Sequence, residues 1–477
     1  MKGYLKIVLI GFVVLSVVLS LGLFGCKTDS GTTTAEETAA EETSAEEAGD
    51  LDAQQARAIE DGKKYAGTTI KLICSPDAAL QNFKTTVDEF EAATGIIVED
   101  NVVGWDVMFQ QTPIALESGE YAYDIVDLWR PWLDQWGGTD ALIDLSEYMS
   151  VELANVPKEF AASMLSVGGK VPAFLFLPSF EICFYNKDLL TEAGLDPEST
   201  PPQTLDEFYN WIVKLSKDTD GDGIVDKPAF LYDFSVDTGW VTYQQFQQAM
   251  GQPPFEIIDR KVHMLLNTEG NRETIEYFKR LWDEKLVPPE VLVSAHYDLT
   301  SLFNTGDLAM MQQWEMYAGF LDEAMKDNTG YFALPGKTAG TYATVEGHEY
   351  LGVTGASQNK EASMALIKYL VSHQNMKARV TNEFMTPLYN QEWEDPALTS
   401  ERPWLDAVLK AIPYQTPRMF PLKDSNSLIT ACMAEIHKYL QDQITIDECL
   451  ENMQSIADTY ETLDEAVDNG IYLPYFK

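Results

Sequence analysis

The sequence predicts an α/β protein in which strands and helices alternate around sheets covered on both faces. Three features predict it. Thr68-Thr69-Ile70-Lys71-Leu72-Ile73-Cys74 is a β-branched, apolar run closed by Ser75-Pro76-Asp77, the pattern of a buried strand. Leu80, Phe83, Val87 and Phe90 then recur at spacings of 3, 4 and 3, which puts them on one face of a helix. Gly95 stops that helix, Ile96-Ile97-Val98 starts a second strand, and Tyr123-Asp124-Ile125-Val126-Asp127 forms a third. That order implies a parallel sheet, and in open α/β sheets ligands sit beyond the carboxyl ends of the strands. Asp77, Trp105, Asp127 and Trp129 fall there.

The alternation resumes near Leu175. Glu181-Ile182-Cys183-Phe184-Tyr185 reads as a strand, and Asn186 to Gly194 as a short helix with a glycine stop. Thr204 and Glu207 form a capping box before a helix whose stripe is Leu205, Phe208, Ile212 and Leu215, with Trp211 in the same packing. Thr445 and Glu448 form another, opening a helix that carries Leu450, Met453, Ile456 and Tyr460. No internal repeat is visible.

The chain has 477 residues, which suggests two or three domains or one large two-lobed body. Its 75 acids against 33 bases give a formal net charge of −42, which excludes most nucleic-acid readings because phosphate backbones need clustered Lys and Arg. The plain meaning of this acidity is solubility. No G-x-S-x-G, H-E-x-x-H or phosphate-loop motif is present, and no local context singles out a carboxylate pair, so no enzyme is expected. The five histidines are scattered and no C-x-x-C occurs, which leaves no zinc or redox motif. Cys74 and Cys183 lie in apolar strands and Cys432 and Cys449 on helices; sequence does not pair them.

Lys2 and Lys6 precede an apolar or small run from Ile7 to Gly25 that ends at Cys26, the pattern of a secretory signal. Leu23-Phe24-Gly25-Cys26 resembles the lipobox of bacterial lipoproteins, in which cleavage precedes a Cys that is then lipidated; Phe24 is larger than usual there. The alternative is an uncleaved anchor, since the run approaches the ~20 residues that span a bilayer. Either way the body lies outside the cytoplasm. Residues 26–64 are rich in Thr, Ala and Glu and lack large apolar clusters, so they read as a disordered acidic tether.

The block Phe184-Tyr185-Asn186-Lys187-Asp188-Leu189-Leu190-Thr191-Glu192-Ala193-Gly194-Leu195-Asp196-Pro197 resembles a signature of family 1 extracellular solute-binding proteins, the sugar-capturing lipoproteins of ABC importers related to maltose-binding protein. Further similarities are Pro202-x-Thr204-Leu205-Asp206-Glu207-Phe208, with Leu205 in place of the usual Trp, and Phe303-Asn304-Thr305-Gly306-Asp307-Leu308-Ala309-Met310-Met311 with Trp314. Ser357 to Ala362 and Asp124-Ile125-Val126-Asp127 also match, and the similarity runs from about residue 68 to 470. The resemblance implies a two-lobed periplasmic-binding-protein fold of class II, each lobe a sheet flanked by helices, with a hinge between. The body is then 65–477, with one lobe at 65–176 plus 320–380 and the other at 177–319 plus 381–477. It further implies closure on a solute and delivery to importer permease subunits, without chemistry. A monomer is expected.

A pyranose offers an apolar face for stacking and a rim of hydroxyls. By the resemblance, Trp240 and Trp314 match positions where the family stacks sugar; each alone is as readily a core residue. Asp127 and Glu181 are candidates to accept hydroxyl hydrogen bonds, or else are caps or surface charges. By the same resemblance Tyr350 occupies the place of the family's glycine-rich hinge strand, and Arg418 is a further candidate. The expected solute is a neutral mono- or oligosaccharide. The alternatives are a cationic solute such as a polyamine, suggested by the acidic body, or a surface sensor or adhesin of the same fold. Asp218, Asp220, Asp222 and Asp226, with the Ile224 carbonyl, fit the first nine places of a calcium loop. Its twelfth place is Ala229, so the alternative is an acidic turn.

Overall fold

The computed structural model describes residues 50–464, apart from 80, 81, 167, 168, 260, 295, 417 and 419. The signal segment, Cys26 and residues 26–49 of the tether lie outside the described residues. Among the described residues no helix is long and apolar enough to cross a membrane.

The first sheet has the order β2-β1-β3-β13-β4, with β1 at Thr69–Cys74, β2 at Ile97–Val102, β3 at Ile125–Trp129, β4 at Ala173–Leu177 and β13 at Glu349–Val353. β1 is parallel to β2 and β3, as strand–helix–strand alternation requires. The all-parallel expectation fails at β13, which returns from a distant part of the chain and lies antiparallel to both β3 and β4. The helix Phe83–Thr94 buries Phe83, Val87 and Phe90 and ends at Gly95, whose φ of 78° is the left-handed stop a glycine permits.

The second sheet has the order β10-β5-β9-β6, with β5 at Glu181–Asn186, β6 at Phe230–Leu231, β9 at Met310–Trp314 and β10 at Thr329–Phe332. Only β6 and β9 run parallel; β5 is antiparallel to both of its neighbours. Because β10 pairs with β5, residues 329–332 belong to the second sheet, and the stretch 320–380 does not go whole to the first lobe. A hairpin of β7 (Phe255–Ile258) and β8 (Lys261–Met264) and a small sheet of β11 (Leu334–Pro335), β12 (Tyr342–Val345) and β14 (Gln415–Thr416) complete the strands. The stripe Leu205, Phe208, Ile212 and Leu215 is buried as expected. Thr204 caps that helix, but Glu207 reaches back to the Gln203 N–H, one residue beyond the capping-box position; the Thr445–Glu448 box is complete.

The tether reading fails for its last residues. Leu51 to Ala53 form a 3₁₀ turn and Gln54–Lys63 a helix, packed on the helices Lys360–Leu370 and His373–Glu383. Leu51 and Ala58, seven apart on one helical face, are buried. Gln55 donates to Asn375 at 2.9 Å, and Asp52 pairs with His373 at 2.8 Å.

The two sheets are joined by short passages. β4 continues through Ser179 and Phe180 into β5, and β12 through Glu346 and His348 into β13. Phe180 bridges Glu346, and the Gly347 N–H donates to the Ser179 carbonyl at 2.8 Å. Glu315 fastens these passages. One carboxylate oxygen accepts the Phe180 N–H at 2.7 Å and the Ser179 hydroxyl at 3.0 Å, and the other accepts the Thr386 hydroxyl at 2.6 Å. Thr386 follows the helix His373–Glu383, so one carboxylate ties two separate stretches of chain. Cys74, Cys183, Cys432 and Cys449 are all buried free thiols.

Candidate functional site

Both sheets turn one edge to the same place. On the first, that edge holds the loop after β1 with Ser75 and Asp77, the end of β3 with Asp127 and Trp129, and the start of β13 with Glu349. On the second it holds the start of β5 with Glu181, the end of β9 with Trp314, and Asp233 just beyond β6; Glu181 and Trp314 are register partners. Arg418 joins the two. Its guanidinium lies 5.0 Å from the Trp129 ring and 5.7 Å from the Trp314 ring. Glu349, Glu181, Asp77 and Asp233 act on it electrostatically.

Asp127 accepts the Ser75 N–H at 2.9 Å, and Glu349 accepts the Ser75 hydroxyl at 2.6 Å. Burial drives the Asp127 carboxyl up to about 6, and burial together with Asp127 drives Glu349 well above the usual carboxylate range. These two titrate as a pair. Glu181 is raised to about 8 by burial and by Asp233. His296 contacts Asp233 at 3.3 Å and accepts the Trp314 indole N–H at 3.1 Å; burial lowers its affinity for a proton.

Among the described residues the cluster contains buried polar atoms with no hydrogen-bond partner: both oxygens of Glu181, Nε1 of Trp129, Nδ1 of His296 and Nε of Arg418, while Asp127 and Glu349 are hydrogen-bonded to each other. Buried polar groups are normally paired, so donors and acceptors left open in one place suit a polar ligand. Beside them runs an aromatic wall. Trp105, Phe109, Trp129 and Trp132 lie within 6.1 Å of one another in successive contacts, and Trp136 follows at 6.3 Å from Trp132. The Trp105 N–H donates to Asp77 at 2.9 Å. Phe109, Trp129, Trp132 and Trp136 line a cavity of about 380 Å³ closed opposite by Asp424 to Ser427, at the start of the helix Ser425–Leu440. That volume lies in the range of small-ligand pockets.

Asp77, Trp105, Asp127, Trp129, Glu181, Trp314 and Arg418 are thus gathered at one edge. Trp240 and Tyr350 are not. Trp240 is wholly buried against Tyr243 and Phe420, at 4.8 and 5.3 Å, where a large indole fills core. Tyr350 is wholly buried on the face of β13 opposite Glu349, with Arg130, Glu346 and His348 around it, because successive strand residues point to opposite faces. Sequence reasoning missed Glu349, Ser75, Asp233 and His296. Strand alternation next to Tyr350 was the available signal for Glu349; the others are brought in by register. Gly347 has a packing reason, since a Cβ there would come within 2.4 Å of the Trp314 ring.

Asp218, Asp220 and Asp222 bring carboxylate oxygens within 4.8 Å of one another on an exposed turn. Asp226 instead accepts the N–H and hydroxyl of Thr219 at 2.7 and 2.5 Å, and Ile224 is half exposed.

A model of the bacterial extracellular solute-binding protein family matches residues 76–377. Among curated proteins, the chain is 22% identical over 423 residues to "Probable amino-acid ABC transporter periplasmic-binding protein y4oP" of Sinorhizobium fredii, covering 83% of this chain and 90% of that one. It is 23% identical to "Diacetylchitobiose binding protein DasA" of Streptomyces coelicolor, covering 68% and 73%. Among solved structures it is similar to maltose-bound MalE3 of T. maritima, with TM-score 0.70 and 20% identity over 82% of this chain and 98% of that one. A solute-binding protein from Agrobacterium radiobacter in complex with ribitol has TM-score 0.70 and 21% identity over the same shares. The two-lobed fold is that of these proteins.

Proposed function

Because the chain belongs to the bacterial extracellular solute-binding protein family, we propose that it captures a mono- or oligosaccharide between the facing edges of its two sheets and delivers it to the permease of an ABC importer. The observation that carries this is the cluster of donors and acceptors on Glu181, Trp129 and Arg418 left open among the described residues beside an aromatic wall. A sugar hydroxyl both donates and accepts, and a sugar's CH face covers an indole, so one polyhydroxylated solute answers both demands. The relatives named as binding diacetylchitobiose, maltose and ribitol support the class. The function needs no bond-making: a solute that binds both edges at once favours the closed arrangement by its differential affinity. Lipidation at Cys26 holds the protein at the outer face of a bacterial membrane, as the lipobox supports.

A thermal-shift screen of the purified protein against sugars, polyols, polyamines and amino acids tests the solute class. A solute at 100 times its Kd adds about 2.7 kcal/mol of stability, a shift of several degrees. Stabilisation by amino acids or polyamines alone would sink the saccharide assignment and leave the family intact. We also propose that Asp218, Asp220 and Asp222 bind a structural Ca²⁺, supported by three convergent carboxylates and by hard-oxygen chemistry.

A further inference from the structure

We propose that the solute is an aminated saccharide whose ammonium group binds between Trp129 and Trp314 against Glu181, the place that the Arg418 guanidinium fills in this structure. The inference rests on the saccharide reading above and narrows it. Arg418 lies over both indole rings, at 5.0 and 5.7 Å, the arrangement by which aromatic faces hold a cation. Carboxylates approach from both sheets. Asp77 follows β1, Asp127 lies in β3, Glu349 in β13, Glu181 in β5, and Asp233 follows β6. Against them stand Arg418, Arg379, which acts on Glu349 but is also paired with Glu383, and His296, whose charged form burial disfavours.

Hydroxyl recognition does not need this excess of acid. A neutral sugar is held equally well by amides and hydroxyls, whereas a buried carboxylate without a partner is costly unless a cation or a proton arrives. Glu181 is the sharpest case: it is wholly buried, neither oxygen has a hydrogen-bond partner among the described residues, and the cation that acts on it is Arg418, the group the ammonium replaces. A ligand ammonium offers three donors and a charge, enough for Glu181 and its neighbours. An anionic solute would meet the same carboxylates unfavourably. Arg418 is half-buried and its Nε has no partner among the described residues, and in this proposal it is the side chain a competing cation displaces.

The test is isothermal titration of the full-length protein with two matched sets: glucose, glucosamine and N-acetylglucosamine; and cellobiose, free-amine chitobiose and diacetylchitobiose. The free-amine member of a set is expected to bind at least about tenfold tighter than its neutral and acetylated partners. Glu181→Gln should bring that ratio to about one, and Arg418→Gln should raise it by vacating the cage. Neutral or acetylated sugar binding as tightly as the amine overturns the proposal and leaves the saccharide reading standing. So does an amine preference that survives Glu181→Gln or shrinks in Arg418→Gln, because the ammonium then binds elsewhere. Binding of no probe in either set overturns the proposal and leaves the saccharide reading to the wider screen; binding of polyamines or amino acids there without any sugar overturns both readings.

Discussion

Glu315 and Glu181 flank the same tryptophan, one following Trp314 in the chain and the other facing it across the sheet, and both are wholly buried. Their surroundings differ. Glu315 has acceptor bonds on both oxygens and joins the passages between the sheets; Glu181 has none on either among the described residues. Burial raises the first to about 7, held down by Thr386, Phe180 and Ser179, and raises the second to about 8 with no hydrogen bond to oppose it. The pair separates two uses of a buried acid. A satisfied carboxylate specifies geometry, and an unsatisfied one leaves acceptors open to a polar group.

The largest expected effects break that contrast in the folded state. Glu315→Ala should lower the unfolding free energy by about 3–5 kcal/mol, because the Phe180 N–H and two hydroxyls lose their acceptor together. Urea denaturation measures it, and a loss below about 1 kcal/mol would remove Glu315 from its fastening role. Trp240→Ala should cost about the same, as deletion of a buried core indole. Trp129→Ala should instead weaken binding of the sugar found by the screen by about 1–3 kcal/mol; unchanged affinity would detach the aromatic wall from the solute.

pH sharpens the comparison at intermediate size. Glu181 and Glu346 are raised to about 8 and Glu315 to about 7, in each case first by burial. For acids raised in the fold, the stability they add is full below the unfolded value near 4.5 and fades as pH climbs through the folded value. His348 works oppositely: burial lowers it to about 3, so its contribution is full above 6.5 and fades as pH falls. Melting temperature should therefore decline from about pH 5 to pH 8, most cleanly above pH 6.5 where His348 no longer opposes the acids, and Glu181→Gln should flatten that decline. A melting temperature that rises over this interval would show these acids to be ionised in the fold. The smallest effect is the turn at Asp218: EDTA should lower the melting temperature by a few degrees and Ca²⁺ restore it. Identical melting curves with chelator and with calcium would dismiss the ion.

Local patterns were legible where one short segment carried the whole signal. The Gly95 stop, the Thr445–Glu448 box and the buried stripe from Leu205 to Leu215 needed no partner to be read. Sheet direction was not legible. β13 enters the first sheet between β3 and β4, and β5 is antiparallel in the second, because strands distant in sequence supply those edges. The helix at Gln54–Lys63 was hidden in an acidic, low-complexity composition, and its buried Ala58 makes sense only once the helix Lys360–Leu370 packs on that helix.

The site divides in the same way. Asp127, Trp129 and Asp77 were readable because a strand end predicts where a ligand edge lies. Glu349 and Asp233 were not, and Tyr350 was chosen in place of its neighbour, because one residue along a strand reverses which face a side chain serves. The sequence alone determined the α/β class, the helix stops and caps, the acidic charge and the resemblance to solute-binding proteins; each follows from periodicity, composition or a contiguous motif. Only the tertiary structure decided that Trp129 and Trp314 meet across Arg418, that Trp240 is core, and that Glu181 has no hydrogen-bond partner among the described residues. Those depend on register and burial among residues hundreds of positions apart, where the cost of an unpaired charge is set by neighbours the local sequence does not contain.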